Sequence, residues 1–411
     1  MADNSGSKNG KNKAVVWFAV VILSIIALWV GNTIVTKDFQ LFSDSGGMNV
    51  RGKVVEIIDD SSQEQSFGGT ETFTSHTITF SCKIENGVHA GEIFTAEQAL
   101  DDIYASSNFL KEVEVGDDVM LYNGDSLVVS SSVWNFVDYY RFNKIVVLGL
   151  VFAALILIIG RGKGVNTLLS LCLTFLFIFF VFVPSVMNGY NVYIWVSITC
   201  IYTIVMTLML VSGASRKTLA TIIGCMSGTV FSAITTSTMS NILNLTGFVD
   251  EHSIYLSMLN PDKPIDLTAI IFAAITIGAM GAIMDVAMDI ASSLWEICQH
   301  VPNITFKKLF KSGMRIGRDI MGTMANTLVL AYIGSSMASF MLLITYSSSM
   351  MHLLNREIII TELLQALTGS LAILLTIPLT VIVCGFIYLK KENYIAPKKS
   401  TPEMCYWEKS K

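Results

Sequence analysis

Long apolar runs alternate with short polar interruptions along this chain, and eight of the runs are long enough to cross a membrane. A spanning helix needs roughly 20 predominantly apolar residues to traverse a hydrocarbon core about 30 Å thick. The runs that qualify, to within a few residues at each end, are 14–35, 143–160, 165–185, 192–212, 218–244, 266–290, 319–346 and 363–389. Between the first two the period changes. In "HTITFSCKI" (76–84), Ile78, Phe80, Cys82 and Ile84 alternate with polar neighbours, the pattern of a half-buried strand. Asn86-Gly87 and Asn123-Gly124 each follow a strand-like run and supply the positive φ angles of a tight hairpin. "VEVGDDVMLYNGDSLVVSSSV" (113–133) reads as strand, turn, strand, and "TAEQALDDIYAS" (95–106) as a helical piece. The pattern predicts a polytopic α-helical membrane protein of about eight transmembrane helices. A small extracytoplasmic β-rich barrel or sandwich, residues 36–142, lies between helices 1 and 2.

Composition agrees: 52% of the 411 residues are apolar and 14% charged, which fits neither a soluble domain nor a disordered tail. The first run is too long for a signal-peptide core and has no small-residue cleavage site, so residues 14–35 read as an uncleaved anchor after a cytoplasmic 1–13. Basic residues set the orientation, because Lys and Arg resist translocation. Lys8, Lys11 and Lys13, then Arg161 with Lys163, Arg216 with Lys217, Lys307, Lys308, Lys311, Arg315 and Arg318, and finally Lys390 with Lys391 all fall on one side if eight helices alternate. Of the short opposite connections, 186–191 has no basic residue and the others contribute Lys263 and Arg356. Both termini, including the tail 390–411, are therefore expected to be cytoplasmic, with 36–142 outside. That outer segment holds 18 acids against six bases. Such a face repels nucleic acid, leaving the lipid bilayer as the expected surround. Of the seven cysteines only Cys82 is on the outer side, and no ligand spacing points to a metal or other cofactor. His76, His89 and His300 read as isolated polar groups.

Candidate chemistry centres on "GAMGAIMDVAMDIASS" (278–293), at the end of an eighteen-residue stretch without charge, Leu267 to Met284. Gly278, Gly281, Ala282, Asp285 and Asp289 recur at offsets of three and four and so line one helix face. A stripe of small residues suits close helix approach, which places both aspartates in a helix–helix groove. An ionised Asp at mid-helix costs about 2.5–3.5 kcal/mol on insertion scales, so it is uncommon without a partner or a task. In the next run, Asp319, Gly322, Thr323 and Asn326 share a face. The fifth run carries Ser232, Thr235, Thr236, Ser237, Thr238, Ser240, Asn241 and Asn244, which suggests a wet groove or a polar helix interface. Residues 293–318, with Trp295, Phe306, Leu309 and Phe310 beside lysines, read as an amphipathic linker on the inner surface. The rest, 143–389, reads as a seven-helix membrane domain.

"GAMGAIMDVAMDIASSLWE" (278–296), "LFKSGMRIGRDIMGTMANTLVLAYIG" (309–334) and "EVGDDVML" (114–121) resemble the YibE/F family of bacterial multispanning membrane proteins. The resemblance implies a bacterial cytoplasmic-membrane protein and no defined activity. The C-terminal half also looks like the permease helices of the resistance–nodulation–division and Sec accessory proteins. In that likeness Gly281-Ala282-Ile283-Met284-Asp285 stands for a G-x-x-x-D proton-binding motif, and "SGMRIGRDIMGTMANTL" (312–328) for the helix that follows. Val286 and Ser292 depart from it, standing where further acids are common.

Two functions remain. One is a proton- or ion-coupled permease of unspecified substrate, with Asp285 and Asp289 as coupling acids and Asp319, Asn326 and Thr323 as neighbours. The other is a non-catalytic scaffold or assembly factor that binds a partner through the outer domain. A bundle this small also makes pairing with a second family member or with itself an expectation. No G-x-S-x-G, P-loop, H-E-x-x-H or dinucleotide motif is present, and the chain is not expected to be an enzyme.

Overall fold

The computed structural model describes residues 5–36, 48–66, 72–101, 111–123, 133–258, 264–301, 303–347 and 349–389. The predicted turn at Gly124, residues 102–106, Lys263 and the tail 390–411 lie outside them. The described residues divide into two units, one made of 40–164 and the other of 1–39 with 165–411.

The first unit contains five strands: β1 (Met48–Ser66), β2 (Thr72–Ile84), β3 (Ile93–Asp101), β4 (Asp118–Asn123) and β5 (Val133–Tyr139). They close into a barrel in the order β1-β2-β3-β5-β4, with β3 and β5 parallel and the other described pairs antiparallel. That is the connectivity of the five-stranded Greek-key barrels called OB folds. Nineteen-residue β1 pairs with β2 and β4 in turn, and register shifts at Val54/Glu56 and Ile57/Asp59 bend it around the barrel. Ile78, Phe80, Cys82 and Ile84 are all buried, as their alternation requires, and the last three pack with Val50, Val54, Ala96, Val119, Leu121 and Trp134. Gly52 is needed where it stands, because a Cβ there would collide with the Cys82 sulfur.

Residues 95–101 correct the helical expectation for 95–106. They belong to β3, where Ala96, Gln98 and Leu100 are buried at every second position. The polar Gln98 disguises that period. Its side chain is buried because it donates to the Lys111 carbonyl (3.1 Å) and accepts from the Val113 amide (2.9 Å). Of the two strands expected within 113–133, the first is β4, and the second falls on 124–132, outside the described residues. The antiparallel partner of β4 is β5, which begins at Val133.

Helix α1 (Ser5–Val35) opens the second unit, and α2 (Phe142–Phe177) joins the two. Arg161 interrupts α2 with φ 48° and ψ −129°. There the chain doubles back so far that a Cβ on Gly164 would meet the carbonyl of Ile156. A π-helical turn (Ile178–Phe182) and α3 (Val183–Met187) follow. The remaining helices are α4 (Val192–Ser212), α5 (Arg216–Ile242), α6 (Glu251–Met258), α7 (Leu267–His300), α8 (Phe306–Ser335), α9 (Met337–Tyr346), α10 (Met350–Leu354) and α11 (Glu357–Tyr388). Side-chain caps start several of them: Asn191, Ser215, Asp266 and Ser349 accept from the amides of Ile194 (3.2 Å), Thr218 (3.1 Å), Ala269 (3.0 Å) and His352 (3.2 Å).

Among the described residues six helical stretches are long and apolar enough to cross a membrane, and seven if α8 and α9, bent by 60°, make one span. One of the six is the 46-residue stretch Phe142–Met187, which holds the break at Arg161. The linker 293–318 is not a separate surface helix. α7 continues to His300, α8 begins at Phe306, and Leu309 is fully buried.

Candidate functional site: an unpacked polar face on two membrane helices

The core of the second unit is α11 lying against α5, α7 and α8, and glycines decide how near it comes. Gly224 and Gly228 of α5 face Thr380 and Thr376 of α11 so closely that a Cβ on either would overlap the threonine hydroxyl. Gly313 of α8 fits against Val381 of α11 at 2.7 Å from where its Cβ would be, and Gly317 likewise meets Ile377. Both pairs are G-x-x-x-G, the spacing that stacks two glycines on one helix face. Sequence reasoning passed over them, although the motif is the signal that finds them.

The polar side chains of α5 divide between the two readings offered for them. Thr229, Ser232, Thr236 and Ser240 are buried, and the Thr229 and Thr236 hydroxyls donate to the carbonyls four residues back, at 3.0 and 2.8 Å. This side is a polar helix interface: its two threonines are satisfied within their own helix, whereas the Ser232 and Ser240 hydroxyls are buried without a partner among the described residues. Ser237, Thr238 and Asn241 are exposed.

The acidic stripe of α7 is not in a groove. Asp285 and Asp289 are exposed, and nothing lies within 4 Å of a Cβ placed on Gly281. Gly278 does meet a neighbour, the Tyr332 hydroxyl of α8, 2.7 Å from the Cβ position. Ala282 is half-buried, at the edge of the packed side. The groove expectation failed because the apolar side chains elsewhere on the helix make the packing. Phe272, Met280, Ile283 and Ala287 join α4 and α5, and Val286, Ile290 and Leu294 join α8 and α11.

What remains outward on α7 is Ala274, Gly278, Gly281, Asp285, Asp289 and Glu296, then Gln299 and His300 at its end, with no large apolar side chain among its exposed residues. The contrast with the surrounding helices is sharp. α4 presents Ile194, Ile198 and Ile201 outward, α5 presents Leu219, Ile223, Val230 and Ile234, and α11 presents Leu363, Leu367 and Leu371. Those are surfaces that acyl chains can wet, whereas the α7 stripe is not.

α8 continues the same face. Lys311, Arg315, Arg318, Asp319, Gly322, Thr323, Asn326 and Thr327 are exposed, and between Phe306 and Leu330 it exposes no large apolar side chain. Gly322 has open space around it, so neither it nor Gly281 packs a helix within the chain. Thr323 donates to the Ile320 carbonyl at 2.9 Å. Among the described residues no ion pair or side-chain hydrogen bond engages Asp285, Asp289, Asp319, Arg315 or Arg318.

Two contacts fix the relative depth of these helices. Leu294 lies level with Gly313, its Cδ1 3.1 Å from the Cβ position, and Gly278 lies level with Tyr332. In that antiparallel register Asp289 is level with Arg318, and Asp285 with Gly322 and Thr323. Counting from the Asp266 cap, Asp285 lies about 28 Å along α7 at 1.5 Å per residue, a distance comparable with the thickness of a hydrocarbon core, about 30 Å.

At the other end, the stripe leads to a small cavity of about 180 Å³ lined by Ala274, Asp250, Ser253, Thr361 and Gln365 among others. The Thr361 hydroxyl is buried there without a partner. Glu357, at the start of α11, anchors this end by accepting from the Thr246 and Gly247 amides at 2.7 and 2.6 Å and from the Thr246 hydroxyl at 2.7 Å.

In the barrel unit a second cleft, about 680 Å³, is lined by Lys111, Asp117, Asp118, Phe136, Tyr139, Arg141 and Lys144 among others. Lys111 pairs with Asp117 at 2.9 Å and Arg141 with Asp138 at 2.9 Å. Burial works to raise the Asp117 carboxyl, but hydrogen bonds from Lys111 and the Glu114 amide, with the Lys111 and Lys144 charges, hold it below its ordinary value. His76 and His89 each meet an acid, Asp60 at 2.5 Å and Glu92 at 3.0 Å. Among the described residues no group of three His, Cys, Asp or Glu is placed to hold a metal ion.

Residues 148–390, more than half of the chain, match the family model described as YibE/F-like protein. No curated protein and no solved structure matches the chain.

Proposed function

The chain belongs to the YibE/F-like family of multi-pass membrane proteins, and from that premise we propose that it is a proton- or ion-coupled permease in which Asp285 binds the coupling ion. In this reading the stretch Phe142–Met187 is two spans joined at Arg161, and α8 with α9 is one, which makes eight. An even number places both termini on the side where Lys and Arg concentrate, the cytoplasmic side, with the barrel outside.

One observation carries the reading: the outward face of α7 is a line of small side chains leading from an external cavity to two unpaired acids near the inner boundary. An intramembrane carboxylate with neither partner nor packing role is expensive and marks ion pathways. Small residues leave room for water and ions beside it. Asp289, one turn deeper, passes the ion to the cytoplasmic side, and Asp319, Thr323 and Asn326 on α8 supply the polar surroundings. The role requires no bond-making chemistry, and the chain is read as a non-enzymatic protein.

The test needs no knowledge of the substrate. The protein is reconstituted in liposomes on a capacitive electrode and given a pH jump, and the charge displaced by proton binding is recorded. Wild-type protein gives a transient current. Asp285→Asn removes it while the protein still inserts. A full-sized transient in that variant rejects Asp285 as the coupling group.

The alternative reading, a scaffold that binds a partner through the outer barrel, rests on the mixed-charge aromatic cleft around Tyr139 and Arg141. It predicts that deleting 36–142 abolishes function while Asp285→Asn is harmless.

A further inference from the structure

We infer that the polar face of α7 and α8 is covered in the membrane by the same face of a second copy of this chain, related by a two-fold axis along the membrane normal. The first support is what the face lacks. Every helix around it turns large aliphatic side chains outward, whereas from Ala274 to Glu296 on α7 and from Lys311 to Thr327 on α8 none is exposed. Lipid is therefore a poor occupant. A protein surface offering hydrogen bonds and charge is a good one.

The second support is charge, and it selects the occupant. The α7 half of the face is acidic (Asp285, Asp289 and Glu296), and the adjoining α8 half carries Lys311, Arg315 and Arg318. Two copies with the same transmembrane orientation are related by an axis along the membrane normal. Such an axis preserves depth and brings α7 of one copy against α8 of the other. Because Asp289 and Arg318 are level within one chain, as the Leu294–Gly313 and Gly278–Tyr332 contacts show, each Asp289 meets Arg318 of the partner subunit. One depth further from the inner boundary, Asp285 meets Gly322 and Thr323 of the partner subunit. The unpacked Gly281 and Gly322 then acquire the close helix approach that small residues permit. A patch of one sign would repel its own copy, whereas this patch is self-complementary.

The inference deepens the permease reading, since it places Asp285 in a closed site shared by two subunits. Its test is independent of proton binding. The full chain, carrying one fluorophore per copy, is extracted in polymer-bounded discs of native membrane, and bleaching steps are counted. Two steps are expected for wild type. Asp289→Arg and Arg318→Asp should each lose the two-step population, and the double exchange should restore it, which also shows that the single variants failed by charge and not by misfolding. Asp285→Asn should still give two steps, so failure of the coupling role leaves this result standing. One-step discs from wild type overturn the inference, as does a different protein held in place of the second copy. So do single variants that stay dimeric, or a double exchange that stays monomeric.

Discussion

Replacing Gly228 by alanine tests how this bundle is held together. In α5 that glycine lies where α11 and α7 both converge. A methyl group there would overlap the Thr376 hydroxyl and stand 2.9 Å from Ile283 Cγ2. Thr376 cannot turn away freely, because its hydroxyl donates to the Ala372 carbonyl at 2.7 Å. Overpacking a tight core costs about 1–3 kcal/mol. Against that, alanine is favoured over glycine inside a helix by roughly 0.8–1.0 kcal/mol. Because the methyl would overlap the Thr376 hydroxyl outright, the upper part of that range applies, about 2–3 kcal/mol, and the net expectation is a loss of about 1–2 kcal/mol. Thr376→Ala removes the overlap with the hydroxyl and leaves the new methyl 3.2 Å from the Cβ of residue 376 and 2.9 Å from Ile283 Cγ2. The double variant should therefore be more stable than the sum of the singles predicts, by roughly 1 kcal/mol. Reversible unfolding in mixed detergent micelles measures all four corners of the cycle. A Gly228→Ala protein as stable as wild type, or strict additivity, would refute the argument that this glycine sets the α5–α11 distance.

Glu357→Ala removes the acceptor of three hydrogen bonds from Thr246 and Gly247. It should destabilise that end of the bundle by about 1–2 kcal/mol after allowance for exposure, read as faster hydrogen exchange at the Gly247 amide. In the barrel, Asp117 and Asp138 both titrate below their ordinary value of 3.8, Asp138 through the Tyr139 amide and Arg141. A lowered folded-state pKa means that the unfolded chain binds the proton more readily. The contribution is complete above 3.8 and is lost as pH falls through the folded values. Exchange protection at Val119–Leu121, corrected for intrinsic rates, should fall between pH 5 and pH 3, and protection that grows on acidification would contradict this. The Cys82 thiol is buried inside the barrel and, by that burial and the nearby Glu85, is pushed up to about 12. It should resist maleimide at pH 8 in the folded protein and react once unfolded.

Much of this architecture could be read from period alone. The alternation of Ile78, Phe80, Cys82 and Ile84 put one strand in the core, and each apolar run met a helix because, in lipid, a run of that length has few other ways to satisfy its backbone. Barrel closure was not legible, since pairing Thr95 with Val133 in parallel depends on residues 38 apart in sequence. Gln98 hid the strand at 93–101 because a buried polar side chain breaks the apolar alternation while keeping its geometry. At the site, helical spacing placed Gly278, Gly281, Asp285 and Asp289 on one face but could not say what covers that face. Small residues on a membrane helix mean close approach, and here, for the most part, they approach nothing in the same chain. The glycines that do pack, Gly224, Gly228, Gly313 and Gly317, have no charged residue stacked on their face to draw attention to them.

The central claim is that Asp285 binds and releases a proton inside the membrane, and carbodiimide labelling tests it most directly. The reagent attacks protonated carboxyls in apolar surroundings. Membranes containing the protein are treated across a range of pH, and modification of Asp285, Asp289 and Asp319 is quantified by mass spectrometry. The account predicts labelling at Asp285 that fades as pH rises through neutrality. Absence of Asp285 labelling, under conditions where a control carboxyl reacts, would contradict it and turn attention to the cleft of the outer barrel.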